Sequence, residues 1–117
     1  MRILTFLAAS LLAIVANTVA FAHAFLDHAE PRVGSTVPTA PRELVLVYSQ
    51  NLEPAFSSVE VSDSKGARVD LGKPKINAST MQVGLKPLPP GTYKVRWRVL
   101  SVDTHTSQGS FTFHVGQ

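Results

Sequence analysis

The chain contains no cysteine. It therefore cannot form a disulfide, a thiolate nucleophile, a zinc ribbon or a blue-copper site, because each of these needs at least one cysteine sulfur. Many small exported domains are stabilised by disulfides. A domain of this size without them has to be stabilised by its hydrophobic core alone.

The sequence has no cluster of basic or acidic residues. The formal net charge is +3 at pH 7, and the basic residues are scattered along the chain. A nucleic-acid-binding domain normally carries a stronger, clustered basic patch. The sequence also lacks a G-x-S-x-G nucleophile motif, a phosphate-binding glycine loop and a dinucleotide fingerprint. Neither nucleic-acid binding nor enzymatic activity is therefore expected.

A hydrophobic run long enough to span a membrane is missing as well. The apolar run over residues 3–16 is shorter than the about 20 residues that span a bilayer. It follows Arg2 and precedes Ala20, Phe21 and Ala22, which form an A-x-A cleavage site. Residues 1–22 are therefore predicted to be a cleaved secretory signal peptide, and residues 23–117 to be one exported domain.

Short strands separated by turn residues make up the rest of the sequence. Over residues 93–99, apolar residues alternate with basic ones, as in a strand with one buried face. Further strands are predicted over 24–29, 43–48, 57–62, 67–71, 80–85 and 111–115. Tyr93 is placed either as a tyrosine corner or as an ordinary core residue. Seven strands and no helical periodicity predict an all-β, two-sheet antiparallel sandwich of immunoglobulin-like type.

The first candidate functional residue is His23. If cleavage follows Ala22, His23 becomes the first residue of the mature protein. Its free α-amine and its ring Nδ1 can then chelate one metal ion. The alternative is that a histidine occupies position 23 by chance and binds no metal, because any residue can follow a signal peptide.

Asp103 and His105 form the second candidate group. Residues i and i+2 of an extended segment point to the same side, so the carboxylate and the imidazole can converge. The alternative is a polar connection, with Asp103 making a turn hydrogen bond and His105 solvated. Together with His23, the pair would offer three nitrogens and one carboxylate oxygen.

The chemistry of these donor atoms indicates which metal ion could bind. A nitrogen and oxygen set without sulfur suits Cu(II), which binds most tightly among the divalent ions, although Zn(II) could use the same ligands. The ligands must be deprotonated, so affinity should fall on acidification. His114 and His28 are weaker candidates, since strand alternation turns each away from the predicted group. Met81 is predicted to be a core residue, so a methionine-rich Cu(I) site is not expected.

Three segments resemble the CopC family of periplasmic copper-binding proteins. They are residues 23–34, which begin His-Ala-Phe-Leu, residues 88–99, and the Ser-x-Asp-x-His element of residues 101–105 with its following strand. The resemblance implies a seven-stranded Greek-key β-sandwich or barrel of cupredoxin-like form. It also implies a Cu(II) site built from His23, Asp103 and His105. The site is expected to serve copper sequestration, delivery or resistance in the periplasm.

The resemblance also implies a partner and leaves two other functions open. Members of the family are associated with an inner-membrane copper transporter of the CopD type, and a monomer is expected here. One alternative is a small histidine-brace copper oxygenase, which also uses an N-terminal histidine. The other is a metal-free structural or interaction module, in which the position of His23 is accidental.

Overall fold

The computed structural model describes residues 24–116 of the 117-residue chain. Eight strands and one short 3₁₀ turn (Pro54–Phe56) make up this part of the protein. The strands are β1 (Leu26–Glu30), β2 (Thr36–Val37), β3 (Glu43–Tyr48), β4 (Ser58–Ser62), β5 (Lys75–Asn77), β6 (Thr80–Gly84), β7 (Gly91–Leu100) and β8 (Thr106–Val115). No helix among these residues is long and apolar enough to cross a membrane.

The strands form two four-stranded sheets. One has the order β1-β3-β6-β5 and the other the order β2-β8-β7-β4. All neighbours are antiparallel except β2 and β8, which run parallel. The predicted all-β, two-sheet sandwich is therefore confirmed.

The strand inventory differs from the prediction in count and in one location. There are eight strands instead of seven, because the short strands β2 and β5 carry too few residues to show alternation. The predicted strand over 67–71 forms only two isolated bridges, one from Arg68 to Ser62 and one from Asp70 to Leu85. This segment crosses from β4 in one sheet to the end of β6 in the other, so it pairs once with each sheet and extends neither.

The core lies between the two sheets. Alternate residues of the long strands point inward and are buried, as strand geometry requires. The positions between them are mostly polar in β7 and β8, but are Val45 and Val47 in β3. Tyr93 of β7 stacks on Phe113 of β8 with ring centroids 5.5 Å apart. Its hydroxyl donates a hydrogen bond to the carbonyl of Pro89 at 2.5 Å. Tyr93 is therefore a tyrosine corner, the first of the two predicted alternatives.

Packing at one end of the sandwich depends on Trp97 and its neighbours. Its ring meets that of Tyr48 edge to face, with centroids 5.3 Å apart. Trp97 also covers Gly109 of β8, where an added Cβ would lie 2.6 Å from the indole. Glycine is needed at 109 because a larger residue would displace the tryptophan. The Tyr48 hydroxyl is buried without a hydrogen-bond partner among the described residues, and burial raises its pKa.

Candidate metal centre

The turn between β7 and β8 carries both Asp103 and His105. It is a tight hairpin turn, in which the Ser101 N–H donates to the His105 carbonyl at 2.9 Å and the Thr104 N–H donates to the Ser101 carbonyl at 2.8 Å. Thr104 adopts a left-handed conformation with a φ of 73°. This conformation is rare for a β-branched residue, and here it redirects the chain so that β8 can begin at Thr106.

Asp103 and His105 approach each other at this turn. The His105 Nδ1 lies 3.4 Å from the Asp103 Oδ1, and the two side chains are 49% and 37% exposed. Their convergence was predicted from the alternation of an extended strand, but that reason is wrong. The segment is a turn, and the left-handed Thr104 brings the two side chains together.

Ser101 fixes the position of the carboxylate. Ser101 is fully buried, and its hydroxyl donates a short hydrogen bond to the Asp103 Oδ1. The Ser101 Oγ also lies 3.2 Å from the carbonyl oxygen of His105. The Asp103 side chain is 37% exposed, so the carboxylate remains accessible from solvent.

The electrostatics keep Asp103 ionised. The hydrogen bond from Ser101 lowers the pKa of Asp103, and the nearby His105 lowers it further. Hydrogen bonding to the charged form favours that form. A carboxylate that is deprotonated at neutral pH can act as a metal ligand without first losing a proton.

The start of the described chain lies beside the same hairpin. The Ser107 hydroxyl donates to the Ala24 carbonyl at 2.7 Å, although the two residues are 83 positions apart. Ala24 is fully buried. The next residue is fixed as well, since the Phe25 N–H donates to the Ser49 hydroxyl at 2.8 Å. Ser107 is two residues after His105, so the chain that leads to residue 23 is held next to the Asp103–His105 pair.

His23, the third predicted ligand, lies outside the described residues. Within residues 24–116 no group of three or more His, Cys, Asp or Glu side chains could hold a metal ion. The hairpin alone therefore offers two protein ligands.

The hairpin pair fits a metal ion. At metal–ligand distances of about 2.0–2.2 Å, two neighbouring ligand atoms are about 2.8–3.1 Å apart at 90° and about 3.3–3.6 Å apart at the tetrahedral angle. The 3.4 Å between His105 Nδ1 and Asp103 Oδ1 matches the tetrahedral spacing and exceeds the 90° spacing by a few tenths of an ångström. Both side chains are partly exposed, so an ion can reach them from solvent.

The remaining histidines have other partners. The His28 Nδ1 lies 3.0 Å from the Asp27 carboxylate, and both side chains are exposed on β1. The His114 Nδ1 lies 2.9 Å from the Thr92 hydroxyl. His114 is nine residues beyond His105 along β8, a distance of about 30 Å in an extended strand. Met81 is fully buried, as predicted for a core residue.

The residue types predicted Asp103 and His105, which the structure brings together, but they did not predict the residues that support this pair. Ser101 was part of the family motif without a role of its own, and neither Thr104 nor Ser107 had a predicted role. A serine two residues before an aspartate is a signal for a turn in which side chain and backbone share hydrogen bonds. The contact between Ser107 and Ala24 has no local signal, because it joins opposite ends of the chain.

A two-sheet sandwich with an exposed Asp-x-His hairpin beside its N-terminal strand defines a class of small β-domain with a candidate metal site at one end. A sequence profile of the CopC domain matches residues 26–116. The chain belongs to the CopC family.

Relatives of known name agree with this assignment. Protein YobA of Escherichia coli K12 is 34% identical over 99 residues, which cover 81% of this chain and 80% of YobA. Copper resistance protein C of Xanthomonas campestris pv. juglandis is 34% identical over 110 residues and 86% of each chain. The crystal structure of PcoC, a methionine-rich copper resistance protein from Escherichia coli, superimposes with a TM-score of 0.71 at 35% identity, covering 80% of this chain and 99% of PcoC.

Proposed function

We propose that the mature protein binds one Cu(II) ion through His23, Asp103 and His105. The observation that carries the proposal is the 3.4 Å approach of His105 Nδ1 to Asp103 Oδ1 on an exposed hairpin. The hydrogen bond from Ser107 to Ala24 supports it, because it holds the chain next to residue 23 beside the hairpin. The copper resistance named in two of the compared proteins supports the choice of metal.

The proposed site requires cleavage of residues 1–22. Only then does His23 have an α-amine, which chelates the metal together with the ring nitrogen. In the uncleaved precursor this nitrogen is an amide and a poor ligand at neutral pH. Cleavage would therefore complete the site after export to the periplasm and leave the precursor with weak affinity.

The proposed role is to sequester or deliver Cu(II) without turnover. Met81, the only methionine after Met1, is buried in the core, so the described residues offer no second, thioether-rich site for Cu(I). PcoC, by contrast, is described as methionine-rich. Exchange with an inner-membrane transporter of the CopD type would then involve Cu(II) at one site.

The first test is a Cu(II) titration of the mature protein, whose N-terminus is confirmed by mass spectrometry, followed by electron paramagnetic resonance. We expect one tight equivalent with an axial, nitrogen-rich type 2 signal. Loss of one ligand should weaken affinity by more than about a hundredfold, so His23→Ala, Asp103→Ala and His105→Ala should each lose the tight site. Affinity should also fall on acidification, since a free α-amine has a pKa of about 7.7–8.0.

Matched controls separate the site from histidine binding in general. His28→Ala and His114→Ala also remove one imidazole each, and neither should change affinity or the spectrum. A mature protein with one extra residue before His23 keeps every side chain but moves the terminal amine to the added residue, so His23 can no longer chelate through its own amine and ring, and affinity should fall. Equal affinity of this extended form, or of His105→Ala, would contradict the proposed site.

A further inference from the structure

The outer face of β7 gathers three long cationic side chains that look scattered in the linear sequence. Lys94, Arg96 and Arg98 are all exposed and occupy alternate positions of one strand. Alternate residues point to the same side and are about 6.8 Å apart. The three charges therefore form a row along the middle of one sheet face, which we name the basic face.

The residues beside this row are polar and uncharged, except for one carboxylate. The residues in register on β4 and β8 are Ser58, Glu60, Ser62, Gln108, Ser110 and Thr112. The exception is Glu60, whose carboxylate lies 4.0 Å from the guanidinium of Arg68. Among the described residues, Lys94, Arg96 and Arg98 form no ion pair within 4.0 Å. Glu60 is directly opposite Arg96, so the row keeps an excess of positive charge with three cations beside one carboxylate.

A shallow depression lies between the two arginines. Its volume is about 510 Å³, and its lining includes Arg96, Arg98, Ser58, Gln108, Ser110 and Glu60. The first five side chains supply guanidinium, hydroxyl and amide donors around one space, and Glu60 adds a single carboxylate. Guanidinium groups suit phosphate oxygens because their donors form a planar fork. The depression thus has the size and the donors to take a phosphodiester headgroup.

We propose that the basic face binds the surface of a membrane that contains anionic phospholipids. The cations stand on one regular sheet face, so a planar anionic surface can meet all of them at once. A stable protein partner would require an apolar centre in the interface. The exposed large hydrophobic side chains among the described residues are Phe25, Val33, Phe56, Leu71 and Val102, and none belongs to β4, β7 or β8.

The expected binding is electrostatic and reversible. Each basic residue near an anionic membrane contributes about 1 kcal/mol, which is about fivefold in the partition coefficient. Three such residues give weak binding that salt should screen, because the Debye length shortens from about 30 Å at 0.01 M to about 3 Å at 1 M ionic strength. The proposal does not depend on copper, since the basic face contains none of the proposed ligands.

The test is sedimentation of the mature, metal-free protein with sucrose-loaded vesicles at low ionic strength. Vesicles of equal parts phosphatidylglycerol and phosphatidylcholine should bind the protein, whereas vesicles of phosphatidylcholine alone should not. Binding should disappear when salt is raised to about 0.5 M. Equal sedimentation with both vesicle types, or with neither, would overturn the proposal.

Charge-reversal variants locate the contact. Arg96→Glu with Arg98→Glu should lower partitioning by more than about thirtyfold, since two favourable charges are removed. Lys73→Glu with Lys75→Glu makes the same change in net charge on or near β5 of the other sheet, and should have a much smaller effect. Equal losses in the two double variants would show that net charge alone matters, and would overturn the assignment to the basic face.

Two further measurements complete the design. A thermal melt of each variant shows whether it remains folded. If glutamate at positions 96 and 98 prevents folding, Arg96→Lys with Arg98→Lys tests the same positions with the charge unchanged. The lysine variant should retain most of the binding. Inorganic phosphate competing at constant ionic strength distinguishes a small-anion site from a membrane contact. Complete displacement by millimolar phosphate would overturn binding to a lipid surface.

Discussion

Two hairpin turns of this sandwich follow the same backbone path and use it differently. Turn 63–67 follows β4, and turn 101–105 joins β7 to β8. In each, the N–H of the first residue donates to the carbonyl of the last at 2.9 Å, and the N–H of the fourth donates to the carbonyl of the first at 3.0 or 2.8 Å. The fourth residue is left-handed in both, Gly66 with a φ of 88° and Thr104 with a φ of 73°.

The side chains of the two turns differ in what they bind. The carboxylate of Asp63 accepts the N–H groups of Lys65 and Ala67, both at 2.9 Å, and Gly66 adopts the left-handed conformation without strain. In turn 101–105 a threonine takes the position of the glycine. The carboxylate of this turn, Asp103, accepts a hydrogen bond from a serine hydroxyl and lies 3.4 Å from the His105 ring. The carboxylate of turn 63–67 therefore binds the backbone of its own turn, whereas the carboxylate of turn 101–105 lies beside an exposed imidazole.

The largest effect is expected when the second turn is given the side chains of the first. Val102→Ser, Asp103→Lys, Thr104→Gly and His105→Ala together transfer the last four residues of turn 63–67 and leave Ser101 in place. The shared backbone path predicts an intact fold, while Cu(II) affinity should fall by more than about a hundredfold because two ligands are removed. Calorimetric Cu(II) titration and a thermal melt measure the two outcomes. A folded variant that still binds copper tightly would show that the hairpin is not the site.

Acid stability should distinguish Asp70, which follows turn 63–67, from Asp103. The Asp70 side chain is 2% exposed, and Arg68 contacts both of its oxygens at 2.8 Å. Burial raises the pKa of Asp70, but the hydrogen bonds from Arg68 and the Val61 N–H lower it, and the net shift is downward. A carboxyl with a lowered folded pKa stabilises the protein above its unfolded pKa of about 3.9, and this stabilisation is lost as pH falls through the folded value.

Asp70→Asn should therefore reduce the free energy of unfolding at pH 7, and the deficit should shrink below about pH 4. The expected reduction is about 2–3 kcal/mol, below the range for a fully buried pair because Arg68 is half exposed. Asp103→Asn should change stability much less at the same pH, because the Asp103 side chain is 37% exposed and solvent screens its charge. Urea unfolding of both variants between pH 3 and 7 measures this. Equal deficits would remove the distinction between the two carboxylates.

Sequence patterns could predict the strands that bury one face and the donors of the candidate site. The alternation of apolar and polar residues in β4, β6, β7 and β8 follows from having one buried face, so it is visible in the sequence. The predicted strand over 67–71 was wrong because its residues pair with two different sheets. The pattern of apolar and polar residues does not show with which strand a residue pairs. Asp103 and His105 could be found from residue type. The role of Ser101 and the left-handed Thr104 could not, because both depend on where the turn begins.

Removing the serine hydroxyl should weaken copper binding without removing a ligand. Ser101→Ala deletes the donor that orients Asp103, and loss of such a supporting hydrogen bond lowers metal affinity by about 10–100-fold. Ser57→Ala is a matched control, because Ser57 is also buried and its hydroxyl accepts the Leu100 N–H at 3.1 Å without contacting Asp103. Each variant should lose about 0.5–1.5 kcal/mol of stability. Only Ser101→Ala should lose affinity for Cu(II), and a similar loss in both would contradict an orienting role.

The smallest effect concerns the fourth residue of each turn. A β-branched residue in the left-handed region is strained by about 1–2 kcal/mol, whereas glycine adopts this conformation freely but loses more entropy on folding. Thr104→Gly should therefore stabilise the protein by up to about 1 kcal/mol, and Gly66→Thr should destabilise it by about 1 kcal/mol. Urea unfolding of the two variants measures the sign of each change in the free energy of unfolding. If Thr104→Gly were destabilising, threonine would be contributing to the turn through its own contacts, and the two turns would differ in backbone energetics as well as in side-chain chemistry.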